Sequence, residues 1–79
     1  MFKYEPLTKR LEELGSQRVT LSVTEIDELV GGLPRAAYEN VEAWWSNDGS
    51  HLQDRAWLMA GYKVENVDLV GDVVTFGRQ

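Results

Sequence analysis

The residues best equipped for chemistry lie together in the run Ser46-Asn47-Asp48-Gly49-Ser50-His51, followed by Gln53, Asp54 and Arg55. The run holds the only histidine, and Trp44, Trp45 and Trp57 stand close on either side. As an enzyme, the chain would use Asp48 and His51 as an acid–base pair. An aspartate three residues from a histidine is common by chance, however, and there is no cysteine nucleophile. Ser46 or Ser50 beside His51 makes a triad only if geometry supplies one. As a metal site, His51 with Asp48 and Asp54 offers a single nitrogen ligand and no thiolate. The reading is therefore noncatalytic, with no metal and no cofactor.

Recognition is the third chemistry open to these residues. Gln53 is suited to adenine and Arg55 to guanine in a major groove. Asn47 and Ser50 are suited to phosphates at a helix N-terminus. The expected binding surface is Trp45, Asn47, Asp48, Ser50, His51, Gln53 and Arg55. Trp44, Trp45, Trp57 and Tyr62 would also suit stacking on single-stranded bases, although aromatic residues flanking a helix more often build a core. The purely structural alternative has Ser50 and Gln53 capping a helix, Arg55 pairing with an acid and His51 filling a polar edge.

The element that must position this surface is a helix of about 51–60. Ser50-x-x-Gln53 fits a capping box, and Gly61 fits a left-handed C-terminal stop. Leu52, Ala56, Met59 and Ala60 repeat at helical spacing, predicting the inward face. Asp54 and Arg55 then fall on the wet face, with Trp57 at the flank. Asn47, Asp48 and Gly49 read as a turn before the helix.

Upstream, Pro6 suits a first helical turn, and Leu7, Leu11 and Leu14 predict a helix of about 6–14 ended by Gly15. Tyr4 is placed to staple its start. Arg18 to Ser22 reads as a strand with Val19 and Leu21 on one side. Ser22-x-x-Glu25 or Thr24-x-x-Asp27 starts a helix of about 24–30, with Ile26, Leu29 and Val30 inward and Gly31-Gly32 closing it. A third helix spans about 34–42, although Asn40 and Val41 are poor helix formers. Of the adjacent Trp44 and Trp45, one is expected in the core, with Trp45 the more exposed. After Gly61 the period becomes two, with a phase break near Glu65-Asn66 that suggests a bulge. Gly71-Asp72 reads as a two-residue hairpin turn, and Val74 and Phe76 face inward on the returning strand.

The order is thus helix, strand, three helices and a hairpin. It predicts a small α+β domain resembling a winged helix: three to four short helices, a C-terminal β-hairpin and a short third strand. The helix 51–60 takes the recognition-helix place, while the helix 34–42 sits where a tight turn is usual.

Tyr4-x-Pro6-Leu7, Val19 to Ser22, Glu25-Ile26, Leu33-Pro34, Ala43 to Asp48, Ser50-His51-x-Gln53, Arg55 to Leu58, Ala60-Gly61 and Val67 to Leu69 carry a resemblance. The chain resembles a family of small uncharacterised bacterial domains, marked by a Trp-Trp-x-Asn-Asp-x-Ser-His-x-Gln run. Such domains occur alone or beside others, some nuclease-like, so the resemblance implies a DNA-processing or defence setting. This chain departs from the pattern at Asp54, where a small residue is expected, and in its acidity.

Seventy-nine residues predict one domain over 1–79 with a single small core. No apolar run approaches the ~18 residues of a membrane helix. Phe2 to Pro6 does not form a signal-peptide core, and the absence of cysteine excludes a disulfide framework. The expected partners are nucleic acid or a protein that binds it, with no membrane, in the cytoplasm. The net charge of −5 gives the chain the wrong average field for nonspecific DNA binding. It raises a second reading: an acidic mobile-element protein, anti-CRISPR-like, whose Glu25, Asp27, Glu28, Glu39 and Glu42 mimic phosphate on a basic partner. A third reading is an oligomerisation module pairing through its hairpin edge.

Overall fold

In the computed structural model, which describes residues 2–79, five short helices pack on a three-stranded antiparallel sheet. The fold is α+β, and the five helices correct the expected three to four. Helix α1 spans Glu5–Leu14 with Pro6 in its first turn. It is closed by Gly15, whose N–H donates to the Leu11 carbonyl at 3.0 Å. Leu7 and Leu11 are buried as the spacing predicts, while Leu14 is exposed. Tyr4 is buried too, but against Trp44, ring edge to face at 6.0 Å, and beside Phe2.

Strand β1 (Arg18–Leu21) turns Val19 and Leu21 inward. Helix α2 (Val23–Leu29) starts at Ser22, whose hydroxyl accepts the Glu25 N–H at 2.8 Å. That choice settles which of the two possible starts is used. The predicted helix 34–42 is instead two single turns, α3 (Ala36–Glu39) and α4 (Val41–Trp44), broken at Asn40 with φ −133° and ψ 57°. Asn and β-branched Val at the junction favour the break, because both lose freedom in a helix or compete for its backbone bonds. Helix α5 (Leu52–Met59) ends before Gly61, whose φ of 88° suits a residue without Cβ.

Strands β2 (Tyr62–Asp68) and β3 (Val73–Arg78) form the hairpin, and the sheet order is β1-β3-β2. The register shifts between Val64 and Asn66, placing the bulge at the predicted phase break. The turn is longer than two residues. Asp68 pairs with Val73, which leaves Leu69 to Asp72 as the connection. The left-handed residue there is Asp72, at φ 58°, rather than Gly71. Asp72 is held in place by its carboxylate, which accepts the Thr24 N–H at 3.1 Å and the Thr24 hydroxyl at 2.9 Å. The hairpin tip is thereby fastened to the start of α2.

One apolar cluster fills the space between sheet and helices. Val19, Leu21, Val74, Phe76 and Tyr62 come from the sheet, and Leu7, Leu11, Ile26, Ala37 and Ala56 from the helices. At its centre lies an aromatic stack. Trp57 packs on Trp45 nearly parallel at 5.8 Å, and meets Phe76 at 6.0 Å and Trp44 at 6.4 Å. Both Trp44 and Trp45 are buried, at 8% and 3% exposure, which corrects the expected surface position of Trp45. Neighbours on a helical turn diverge by only ~100°. A core that wraps around α4 can therefore receive both rings.

Candidate functional site

Residues 46–55 do come together, but as an internally bonded corner more than an open surface. Helix α5 begins at His51, which has extended dihedrals and makes no side-chain cap. The Ser50–Gln53 capping box does not form. Ser50 instead closes a turn on Asp48: its N–H and its hydroxyl both donate to Asp48 Oδ1, at 2.9 and 2.7 Å. This is the side-chain-to-backbone bond by which aspartate nucleates turns. Gln53 Nε2 donates to the Trp44 carbonyl at 3.3 Å. Gly49, at φ 83°, lets the chain fold back so that its N–H donates to Asp54 Oδ2 at 3.0 Å. Asp54 therefore does for the helix start what Gln53 was expected to do, one residue later, and an acid there also suits the helix dipole.

The burial of α5 follows Trp57 rather than the Leu52–Met59 stripe. Ala56, Trp57 and Asp54 are completely buried, while Leu52 and Met59 are 60% and 61% exposed. A tryptophan removes about 150–250 Å² from water, which decides the helix rotation against two smaller apolar side chains. The predicted inward face and the predicted wet position of Asp54 are both corrected. His51-x-x-Asp54, an acid in the first turn three residues after the true start, was the sequence signal for Asp54.

Asn47 joins three elements. Its Oδ1 accepts the Trp57 indole N–H and the Val64 N–H, each at 2.8 Å, and its Nδ2 donates to the Val64 carbonyl at 2.9 Å. The side-chain amide thus pairs with edge strand β2 as a neighbouring strand would. Trp45 Nε1 donates to the Ala37 carbonyl at 3.0 Å. Of the seven expected binding residues, Trp45 is therefore inside the core, and Asn47 and Gln53 spend their amides on the fold. Asp48, Ser50, His51 and Arg55 remain exposed.

His51 Nδ1 lies 3.2 Å from the Ser50 hydroxyl, 3.4 Å from Asp48 Oδ1 and 3.6 Å from Asp54 Oδ2. The Ser50 N–H, followed by the Ser50 hydroxyl, holds the Asp48 carboxyl down to about 2 from an ordinary 3.8. A depressed carboxyl stabilises the fold fully above the ordinary value and loses that contribution as pH falls towards about 2. The Asp48 carboxyl carbon, followed by NMR through an acid titration, should show this low midpoint. Ser50→Ala should raise it while the remaining backbone N–H keeps it below 3.8.

The alternative acidic face is partly engaged. Glu25 pairs with Arg10 at 3.3 Å and Glu39 with Arg35 at 3.0 Å. Asp27 Oδ1 accepts the Leu33 N–H at 2.6 Å. Glu28 and Glu42 stand exposed, with no ion pair among the described residues. Beside the corner, Phe2, Leu52, Arg55 and Met59 line a shallow cavity of about 180 Å³. No helix among the described residues is long and apolar enough to cross a membrane.

No curated protein and no solved structure matches the chain. A family model does match over residues 4–79, almost the whole length, and on that match the protein belongs to the family described as Domain of unknown function (DUF7662).

Proposed function

We propose that this domain is a noncatalytic recognition module of winged-helix type that docks on a protein component of a nucleic-acid-processing complex. In this reading α5 takes the recognition-helix place and the β2–β3 hairpin is the wing. The observation that carries it is the outward face of α5. Leu52 and Met59, well exposed, flank Arg55 over the shallow cavity shared with Phe2. Apolar side chains around one arginine suit the core of a protein interface. The same face has one cation to offer a phosphate backbone, on a chain of net charge −5. The setting is drawn from the resemblance of the Trp44–Gln53 run to domains found beside nuclease-like ones.

The test has two arms. Labelled duplex and single-stranded DNA are titrated with the domain at ~50 and ~200 mM salt, a range over which phosphate contacts weaken binding steeply. No binding is expected at either. In parallel, wild-type and Leu52→Asp/Met59→Asp domains serve as bait in extracts of the source cells. A nucleic-acid-processing protein held by the wild type and released by the variant supports the proposal. The substitutions lie on exposed side chains, so stability should change by no more than about 0.5 kcal/mol each. Salt-sensitive DNA binding that disappears in Arg55→Ala would overturn the protein partner in favour of direct DNA contact.

A further inference from the structure

We propose that Asp48, His51 and Asp54 form a binding site for a zinc ion. One ligand atom from each of the three lies within 4.8 Å of the others. The Ser50 hydroxyl, 3.2 Å from His51 Nδ1, is the hydrogen-bond neighbour of that nitrogen, and the two carboxylates stand farther off. His51 Nδ1 stands 3.4 Å from Asp48 Oδ1 and 3.6 Å from Asp54 Oδ2. Hydrogen bonds from a ring nitrogen to a carboxylate run to about 2.7–3.2 Å, so both distances are long for an imidazole bridging two acids. Zinc bonds of about 2.0–2.1 Å at tetrahedral angles place neighbouring ligand atoms roughly 3.3–3.5 Å apart. The two separations from His51 are close to that spacing, and all three ligand atoms lie within 4.8 Å of one another.

Asp54 supplies an independent reason. Its residue is completely buried, and its Oδ1 has no hydrogen-bond partner. A buried carboxylate is costly unless its charge is met. The Gly49 N–H reaches only Oδ2, the oxygen that also lies 3.6 Å from His51. No lysine or arginine pairs with Asp54 among the described residues. A divalent cation would balance the two carboxylates together.

The donors are one imidazole and two carboxylates, and the imidazole narrows the choice of metal. Imidazole suits zinc and its transition-metal neighbours, whereas magnesium and calcium favour oxygen ligands. The ligands are also oriented in advance. Ser50 fixes Asp48 through its N–H and hydroxyl, and Gly49 fixes Asp54. Partners of this kind commonly set ligand direction in metal sites. Three protein ligands leave a tetrahedral ion one position for water or for a side chain of a docked partner. The ion would tie the 47–51 turn to the first turn of α5.

The experiment is isothermal titration of the chelator-treated full chain with zinc chloride, repeated with magnesium in excess. One ion per chain at low-micromolar affinity or tighter is expected, undiminished by magnesium. The unfolding midpoint should rise with zinc and fall again with chelator. His51→Ala and Asp48→Asn alter exposed side chains and should keep the far-UV circular dichroism of the parent. Each should weaken zinc by at least ~10-fold, the scale on which even supporting groups act in such sites. Cobalt substitution should give the visible bands of a tetrahedral ion, and these should vanish in His51→Ala. Asp54→Asn should also abolish binding; if that variant fails to fold, the two exposed variants decide. Absence of saturable zinc binding, or binding that survives both exposed substitutions, would overturn the site.

Discussion

Asn47→Ala is expected to lower the unfolding free energy by about 2–3 kcal/mol, although the residue itself is exposed. One carboxamide satisfies the Trp57 indole N–H, the Val64 N–H and the Val64 carbonyl. The two Val64 groups can return to water, so their bonds contribute only about 0.5–1.5 kcal/mol each. The indole N–H belongs to a fully buried residue, and stranding it costs about 1–3 kcal/mol. In a domain of this size the loss should lower the thermal midpoint by roughly 10–20 °C. Thermal and urea unfolding, monitored by tryptophan fluorescence, will measure it. A change below 0.5 kcal/mol would show that the bonds of Asn47 are not maintained in solution.

The removal of Trp57 should do more. Trp57→Ala opens the centre of the aromatic stack and should cost about 3–5 kcal/mol. Small domains have little to spare, since total stability is typically 5–15 kcal/mol. The variant should be largely unfolded near body temperature, with the dispersed amide proton spectrum lost. Trp57→Phe keeps most of the apolar contact with Trp45 and Phe76 but leaves Asn47 Oδ1 without one of its donors. It should fold, with a smaller loss. A double-mutant cycle of Asn47→Ala with Trp57→Phe should return a coupling of roughly 0.5–3 kcal/mol, as for residues in direct contact. Additive losses would place the effect of Asn47 on Val64 alone.

The same pair of residues explains why the expected binding surface contracted. From the sequence, Asn47 is a polar turn residue next to a helix start, the type that touches ligands. Its three partners lie ten and seventeen residues downstream, and no local pattern announces them. Edge strand β2 needs something against its backbone groups, and the amide of Asn47 serves at Val64. That pairing also removes backbone groups which edge-to-edge association through this strand would use. Trp45 followed the same route inward, with Ala37 accepting its indole N–H.

Local signals determined much of the fold. Leu7 and Leu11 on α1, the alternation of Val19 and Leu21, the Ser22 start of α2, the phase break at Glu65 and the inward pair Val74 and Phe76 all follow from short-range periodicity and capping. These depend on neighbours a few residues apart, which the sequence states directly. The rotation of α5 does not. Leu52, Ala56, Met59 and Ala60 make as regular a stripe as any in the chain, yet two of them face solvent. The stripe lost to Trp57, whose ring is held between Trp45 and Phe76 on other elements. Once Trp57 faced inward, Asp54 was carried inside with it and Leu52 and Met59 were turned out. Membership of a small domain family of unknown function and the α+β composition were therefore within reach of the sequence. Which residues of α5 solvent can reach was decided by tertiary packing, because the largest buried ring fixes a helix's rotation and the rest of the helix must follow.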